Sequence, residues 1–240
     1  MTPYVEEVSS PATQVEPLGE TRTTGAQRPA AARWWQRPWV VPLVLLIVAF
    51  LLFSLPPYLG LDPSQSRIVL NEDFAAHYAV VVAHILFGTI AMLTVCLQIW
   101  PWLRRHHPRL HRLSGRLYVY AGVLPSALIG LALMPFAAVP VGLLGSALAA
   151  VGWIVTSLVG LRMARQRRYA EHRRWMAYSI AFALQTLWGR IFMLTAVLTG
   201  VDVNPIVMGE AAGWLSWLVN LAIAHWWVRR TARQPRPAFG

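Results

Sequence analysis

The sequence predicts an all-α protein: a polytopic transmembrane helical bundle of about six helices, with both the N and C termini cytoplasmic. Three observations predict it. The 240 residues are 56% hydrophobic and 13% charged, whereas soluble domains carry roughly 25% charged residues. The apolar residues gather into six runs of near-spanning length. The basic residues, every one an arginine, fall almost entirely in alternate loops.

Residues 1–33 are polar, rich in Pro, Thr and Glu, and lack apolar periodicity, so they read as a disordered cytoplasmic tail. The first apolar run begins too late for a signal peptide and no cleavage site follows it. The membrane domain is expected over residues 34–232 and a second cytoplasmic tail over 233–240. A spanning helix needs about 20 mostly apolar residues. Residues 39–55 supply the first span, which ends at Pro56-Pro57. Residues 75–100 form the second and 117–134 the third. Pro135 and Pro140 bracket a tight turn into the fourth, 141–161, and the fifth and sixth cover 175–199 and 211–228.

Arginine sets the orientation, because loops on the cytoplasmic side carry the excess of basic residues. Arg22, Arg28, Arg33 and Arg37 precede the first span; Arg104, Arg105, Arg109, Arg112 and Arg116 lie between the second and third. Arg162, Arg165, Arg167, Arg168, Arg173 and Arg174 lie between the fourth and fifth, and Arg229, Arg230, Arg233 and Arg236 follow the sixth. The other loops hold only Arg67, beside Asp62, Glu72, Asp73, Asp202 and Glu210. A net charge of +11 would suggest nucleic acid in a soluble chain; here it is a topology signal, and no nucleic-acid partner is expected. Trp34, Trp35, Trp39, Trp100, Trp102, Trp226 and Trp227 mark the headgroup levels. Gly142, Gly145, Ala149 and Gly152 form a small-residue stripe suited to close helix packing.

The absence of lysine excludes a Schiff-base mechanism, and the lone Cys96 excludes a disulfide framework. No Asp or Glu lies inside a span, which argues against a carboxylate proton relay. Ionisable residues in the membrane are functional candidates by default. Arg190, inside the fifth span, is the costliest; it either reaches the outer interface or meets carbonyls, water or the acidic group of a ligand. Counting at about 1.5 Å per residue places His84 at a similar depth, so the two could share a cavity. His77, His84, Ala91 and Gln98 stand seven apart and form one stripe on the second helix, either a polar seam facing the bundle interior or a ligand site. His111 and His172, each followed by Arg, precede helices that leave the same face, so their depths should match. Asn220 and His225 add polar groups in the inner half of the sixth span.

Histidines at paired depths can hold haem iron. No Cys-x-x-Cys-His motif is present, so such a haem b would be bound without a covalent link. In this redox reading His84 and His172 are the metal ligands, Gln98 and His111 complete the cofactor site, and Arg190 meets an anionic group. A zinc or copper site at His106, His107 and His111 is disfavoured by Pro108 and by the surrounding arginines.

The stretch His84, Gln98, Arg104, His111-Arg112 and Gly115-Arg116-Leu117-Tyr118, followed by His172-Arg173, Trp175-Met176 and Arg190, resembles a bacterial domain-of-unknown-function family of multi-pass membrane proteins. The resemblance covers roughly residues 75–200, leaving the first helix, the tail and the sixth helix outside its core. The chain departs from the family pattern at Ala177-Tyr178-Ser179, where a further basic residue is expected. The family brings no assigned reaction; a distant architectural similarity to transmembrane haem b cytochromes is analogy. The expectation is therefore a protein of the bacterial cytoplasmic (inner) membrane that is haem- or quinone-linked. The alternatives are a binding or transport module for an anionic ligand or lipid, with anionic lipid at the arginine clusters, or a structural or assembly protein.

Overall fold

A computed structural model describes residues 39–137, 140–201 and 204–232. The expected tails at 1–33 and 233–240, and Pro140's turn partners at 138 and 139, lie outside the described residues. Among the described residues the only regular structure is helical. The elements are α1 (Val40–Ser54), the short α2 (Pro56–Leu59), α3 (His77–Ile99), α4 (Pro101–His106) and α5 (Pro108–Leu117). A π-helical segment (Tyr118–Val123) joins α5 to α6 (Leu124–Leu133); then come α7 (Leu143–Arg165), α8 (Tyr169–Ala183), α9 (Thr186–Thr199) and α10 (Pro205–Ala232).

Among the described residues five helical runs are long and apolar enough to cross a membrane, 77–99, 108–136, 143–165, 169–196 and 205–231, with α1 a shorter apolar helix. Leucines on their flanks stay open: Leu45 and Leu52 of α1, Leu113 of α5 and Leu198 of α9 are all more than half exposed. Side chains of this kind are at home against lipid and a liability in water. Arg67, the exception to the arginine partition, is engaged at the end of α1. Its Nη1 donates to Phe53 O at 2.8 Å and its guanidinium lies 4.4 Å from the Phe53 ring centroid, so it neutralises a helix C-terminus.

The α3 stripe is a packing seam. His77 meets Phe136, His84 meets Ser126 and Gly130, Ala91 meets Gly122, and Gln98 meets Ser114 and Gly115. Successive stripe positions on α3 thus meet positions counted backwards along α6, the π segment and α5, as an antiparallel pair requires. At its centre the helices touch backbone to backbone: a Cβ on Gly122 would lie 2.9 Å from both Cα and Cβ of Ala91. The π segment follows from Pro125, which has no N–H to give to Ala121 and so cannot continue an α-helical ladder through that turn.

The third helix differs from expectation. It starts at Pro108 rather than Leu117, because Pro108 occupies the first helical position and the ladder runs unbroken through the Arg-rich stretch. The sixth also starts earlier, at Pro205. The fifth is divided at Leu184–Gln185. The cause is Asn220 of α10, whose Nδ2 donates to Ala181 O at 3.0 Å. Gln185 N–H, the ordinary α-helical partner of that carbonyl, turns to Phe182 O at 3.2 Å. Asn220 Oδ1 also accepts Trp188 Nε1–H at 3.1 Å, so one side chain clamps both sides of the joint.

The small-residue stripe of α7 brings in α10. A Cβ on Gly145 would come within 2.5 Å of Gly213 O, and one on Gly213 within 2.5 Å of Gly142 O. Gly142, at φ +67°, needs the left-handed freedom of glycine, and its N–H donates to Glu210 Oε1 at 2.9 Å. That carboxylate sits at the positive end of the α7 dipole. The α7–α8 hairpin is the most extensively packed pair, with Phe182 lying over Gly152 and Met176 over Gly160.

Gly122→Ala is expected to destabilise the protein by about 1–3 kcal/mol through forced separation of the seam. Gly189→Ala, where the added methyl meets nothing within 4 Å, should be neutral or stabilising by up to about 1 kcal/mol. Thermal unfolding of the two variants in one detergent checks the contrast.

Candidate functional site

Gln98, near the end of α3, fixes the first turns of α5. Its Nε2 donates to His111 O at 2.8 Å and to Ser114 Oγ at 2.6 Å. Gly115 faces the same side chain, and a Cβ there would stand 3.4 Å from Gln98 Oε1, in ordinary contact. His111 is therefore held at its backbone, while its ring Nδ1 is buried with no hydrogen-bond partner. Arg104, His172 and Arg112 all lie near enough to act electrostatically on the His111 ring.

His172 occupies the first turns of α8. Its Nδ1 stands 2.8 Å from Gly160 O. A carbonyl only accepts, so Nδ1 carries the proton and, in the neutral ring, Nε2 keeps its lone pair. Gly160 permits this approach, being nearly covered already by Met176 and Trp175.

A buried hydrogen-bond layer fixes the relative depth of the two histidines. Tyr118 stands seven residues after His111, and Ser179 seven after His172. Tyr118 Oη and Ser179 Oγ are 2.7 Å apart, both side chains fully buried. Trp153 Nε1–H donates to the same Tyr118 oxygen at 3.0 Å, and Ser157 Oγ lies 2.6 Å from Ser179 Oγ. Seven residues are about 10 Å along a helix, so His111 and His172 stand at matching levels about two turns from this layer. Sequence reasoning missed the layer. Its signal was present in Ser157 and Ser179 inside apolar runs and in Trp153 at mid-helix, away from the aromatic belt.

The remaining candidates lie apart from this pair. His84 is closed into the α3–α6 seam, its Nδ1 2.9 Å from Ser126 O, with its ring beside Gly130. Its tautomer is fixed as in His172. Arg190 lies on α9, which packs chiefly on α10, and its Nε is buried with no partner. Among the described residues no hydrogen bond joins Arg190 to His84. His77 accepts Asn71 N–H at 2.8 Å. His106 stacks on Trp102 at 5.3 Å, and His107 lies 4.9 Å from the same ring. Among the described residues no three His, Cys, Asp or Glu side chains are grouped to hold a metal ion.

Described residues that are helical throughout their regular structure, with five helices of membrane-spanning length and a small internal polar layer, define a helical membrane protein. The chain belongs to the family described as Predicted membrane protein (DUF2306), whose model matches residues 81–228. The match runs to Val228 and so takes in most of α10, correcting the expectation that the sixth helix stands outside the family core. Comparison with curated proteins and with solved structures gave no match.

Tyr118→Phe removes the acceptor of the Trp153 indole and the partner of Ser179, and is expected to cost about 1–3 kcal/mol. A double-mutant cycle with Ser179→Ala, read by thermal unfolding, should show coupling of about 0.5–3 kcal/mol. Strict additivity would mean that the two hydroxyls act independently.

Proposed function

We propose that the chain is a haem-linked redox protein of a bacterial cytoplasmic membrane, with the iron of a haem b held by His111 and His172. The observation that carries the reading is the pairing of two histidines from separate helices at one depth, each with a nitrogen suited to ligation. His172 has its proton fixed on Nδ1 by Gly160 O, leaving Nε2 for a metal. His111 has a buried, unpartnered Nδ1. Haem iron takes only its axial ligands from the protein, so the site needs no cluster of three side chains. Bound there, haem would supply one-electron transfer. Gln98 positions the His111 backbone, and Arg112 and Arg173, each following a candidate ligand, offer charge to the propionates. His84, with its tautomer fixed by Ser126 O, is the candidate ligand at the other end of α3, and Arg190, on α9, is the candidate cation for an anionic group.

The distribution of arginine supports placing both chain ends in the cytoplasm. An impermeant thiol reagent applied to intact cells should then label Ser64→Cys, in the acidic loop, and spare Gln166→Cys, at the end of α7. The reverse pattern would invert the topology.

Purified full-length protein should show a Soret band that shifts on reduction. His111→Ala and His172→Ala should each abolish or displace it, while His106→Ala, whose ring is stacked on Trp102, leaves it unchanged. A colourless, fully folded wild type would sink the haem reading.

A further inference from the structure

Helices α7, α8 and α10 line a shallow, open groove of about 520 Å³ on the side of the bundle. Val155, Phe182, Leu221 and Ala222 give it apolar walls, and Tyr178 and His225 close one end. These two polar groups satisfy each other, Tyr178 Oη standing 3.0 Å from His225 Nδ1. Thr156 Oγ1–H is bonded within its own helix to Gly152 O at 2.7 Å. The groove therefore offers hydrocarbon contact along its length and no unengaged hydroxyl within it.

The charge lies just beyond the closed end. Met176 packs on Gly160 across the α7–α8 hairpin, and that antiparallel register sets Arg174 level with Arg162. Tyr178 meets His225 across α8 and α10, and the same register sets Arg174 level with Arg229. Arg162 stands two turns beyond Val155 on the same face of α7. Arg174 is one turn before Tyr178, with its guanidinium 6.0 Å from that ring's centroid. Arg229 is one turn beyond His225. Each helix walling the groove thus contributes one arginine to the same level, and all three are exposed. Among the described residues the one ion pair is Arg168–Glu171, so within the described residues no carboxylate stands at ion-pair distance from these three.

We propose that this groove is a binding site for an anionic glycerophospholipid from the leaflet on the arginine-rich side. One acyl chain lies against Val155, Phe182, Leu221 and Ala222, and the phosphate meets Arg162, Arg174 and Arg229. The three-arginine collar is what selects the occupant. A neutral headgroup or a neutral lipid-soluble carrier leaves it unneutralised, whereas a phosphodiester bearing a net negative charge complements it. The site is independent of the haem reading, because His111 and His172 form no part of it.

The full-length protein, delipidated in neutral detergent, is titrated with phosphatidylglycerol and with phosphatidylcholine while thermal unfolding and native mass are followed. Phosphatidylglycerol should bind at least about 10-fold more tightly. Arg162→Gln/Arg174→Gln/Arg229→Gln together should remove that preference, and so should Ala222→Phe, which fills the groove while keeping every charge. Arg165→Gln/Arg167→Gln/Arg168→Gln removes the same charge elsewhere on that face and should leave the preference intact. Equal binding of the two lipids, or equal losses in the two triple variants, would overturn the proposal in favour of diffuse attraction. A larger stabilisation by a neutral short-chain quinone than by phosphatidylglycerol would assign the groove to a neutral carrier and overturn it as well.

Discussion

The contact of Gly122 with Ala91 is the constraint on which the first half of the bundle depends. With apolar solvent on all sides, transmembrane helices gain little from hiding leucines and associate through close packing and interhelical hydrogen bonds. Three glycines and two serines on the α5–α6 run, facing a seven-residue stripe on α3, let the two approach to backbone distance. That approach brings the Gln98 amide within reach of the His111 carbonyl and the His84 ring within reach of Ser126 O. The π segment lies in the same stretch, so the extra width of its turn is taken up where the partner helix is smallest.

A second layer ties the two halves together. Tyr118 reaches from the first pair of helices to Ser179 of the second, with Trp153 and Ser157 completing the network. Buried hydroxyls without partners would be costly in this setting, and here each finds one. The tyrosine acts as a spacer of fixed length, so the distance between α5 and α8 at the level of His111 and His172 follows from a core hydrogen bond.

The sequence displayed the bundle clearly, because hydropathy and arginine placement report on the bilayer, a solvent that acts on every residue. The α3 stripe was visible as a period of seven, and its facing of the bundle interior was one of the two readings the spacing allowed. What stayed hidden depends on single partners. Nothing local in Leu184-Gln185-Thr186 marks a break; the cause is an amide on Asn220, in a different helix. The start of the third helix was obscured because Arg109, Arg112 and Arg116 read as a loop by charge, although Pro108 at the first position and the spacing of Leu110, Leu113 and Leu117 are helical signals. The equal depth of His111 and His172 was legible from their places before two outgoing helices. Their connection through Tyr118 and Ser179 was not, because hydrogen bonds across helices leave no periodic trace.

The crossing of α7 and α10 at Gly142, Gly145, Gly209 and Gly213 joins segments separated by two other helices. During synthesis α3 with α5–α6, and α7 with α8, have their partners adjacent in the chain and can pair as they enter the bilayer. The glycine face of α7 must wait for the last helix to be made. Until then bare backbone and the uncapped N-terminus of α7 face lipid, where other small-residue helices can compete for them. The final helix therefore acts as a closure on assembly, and a ribosome that stalls before it leaves a bundle with its most adhesive surface open.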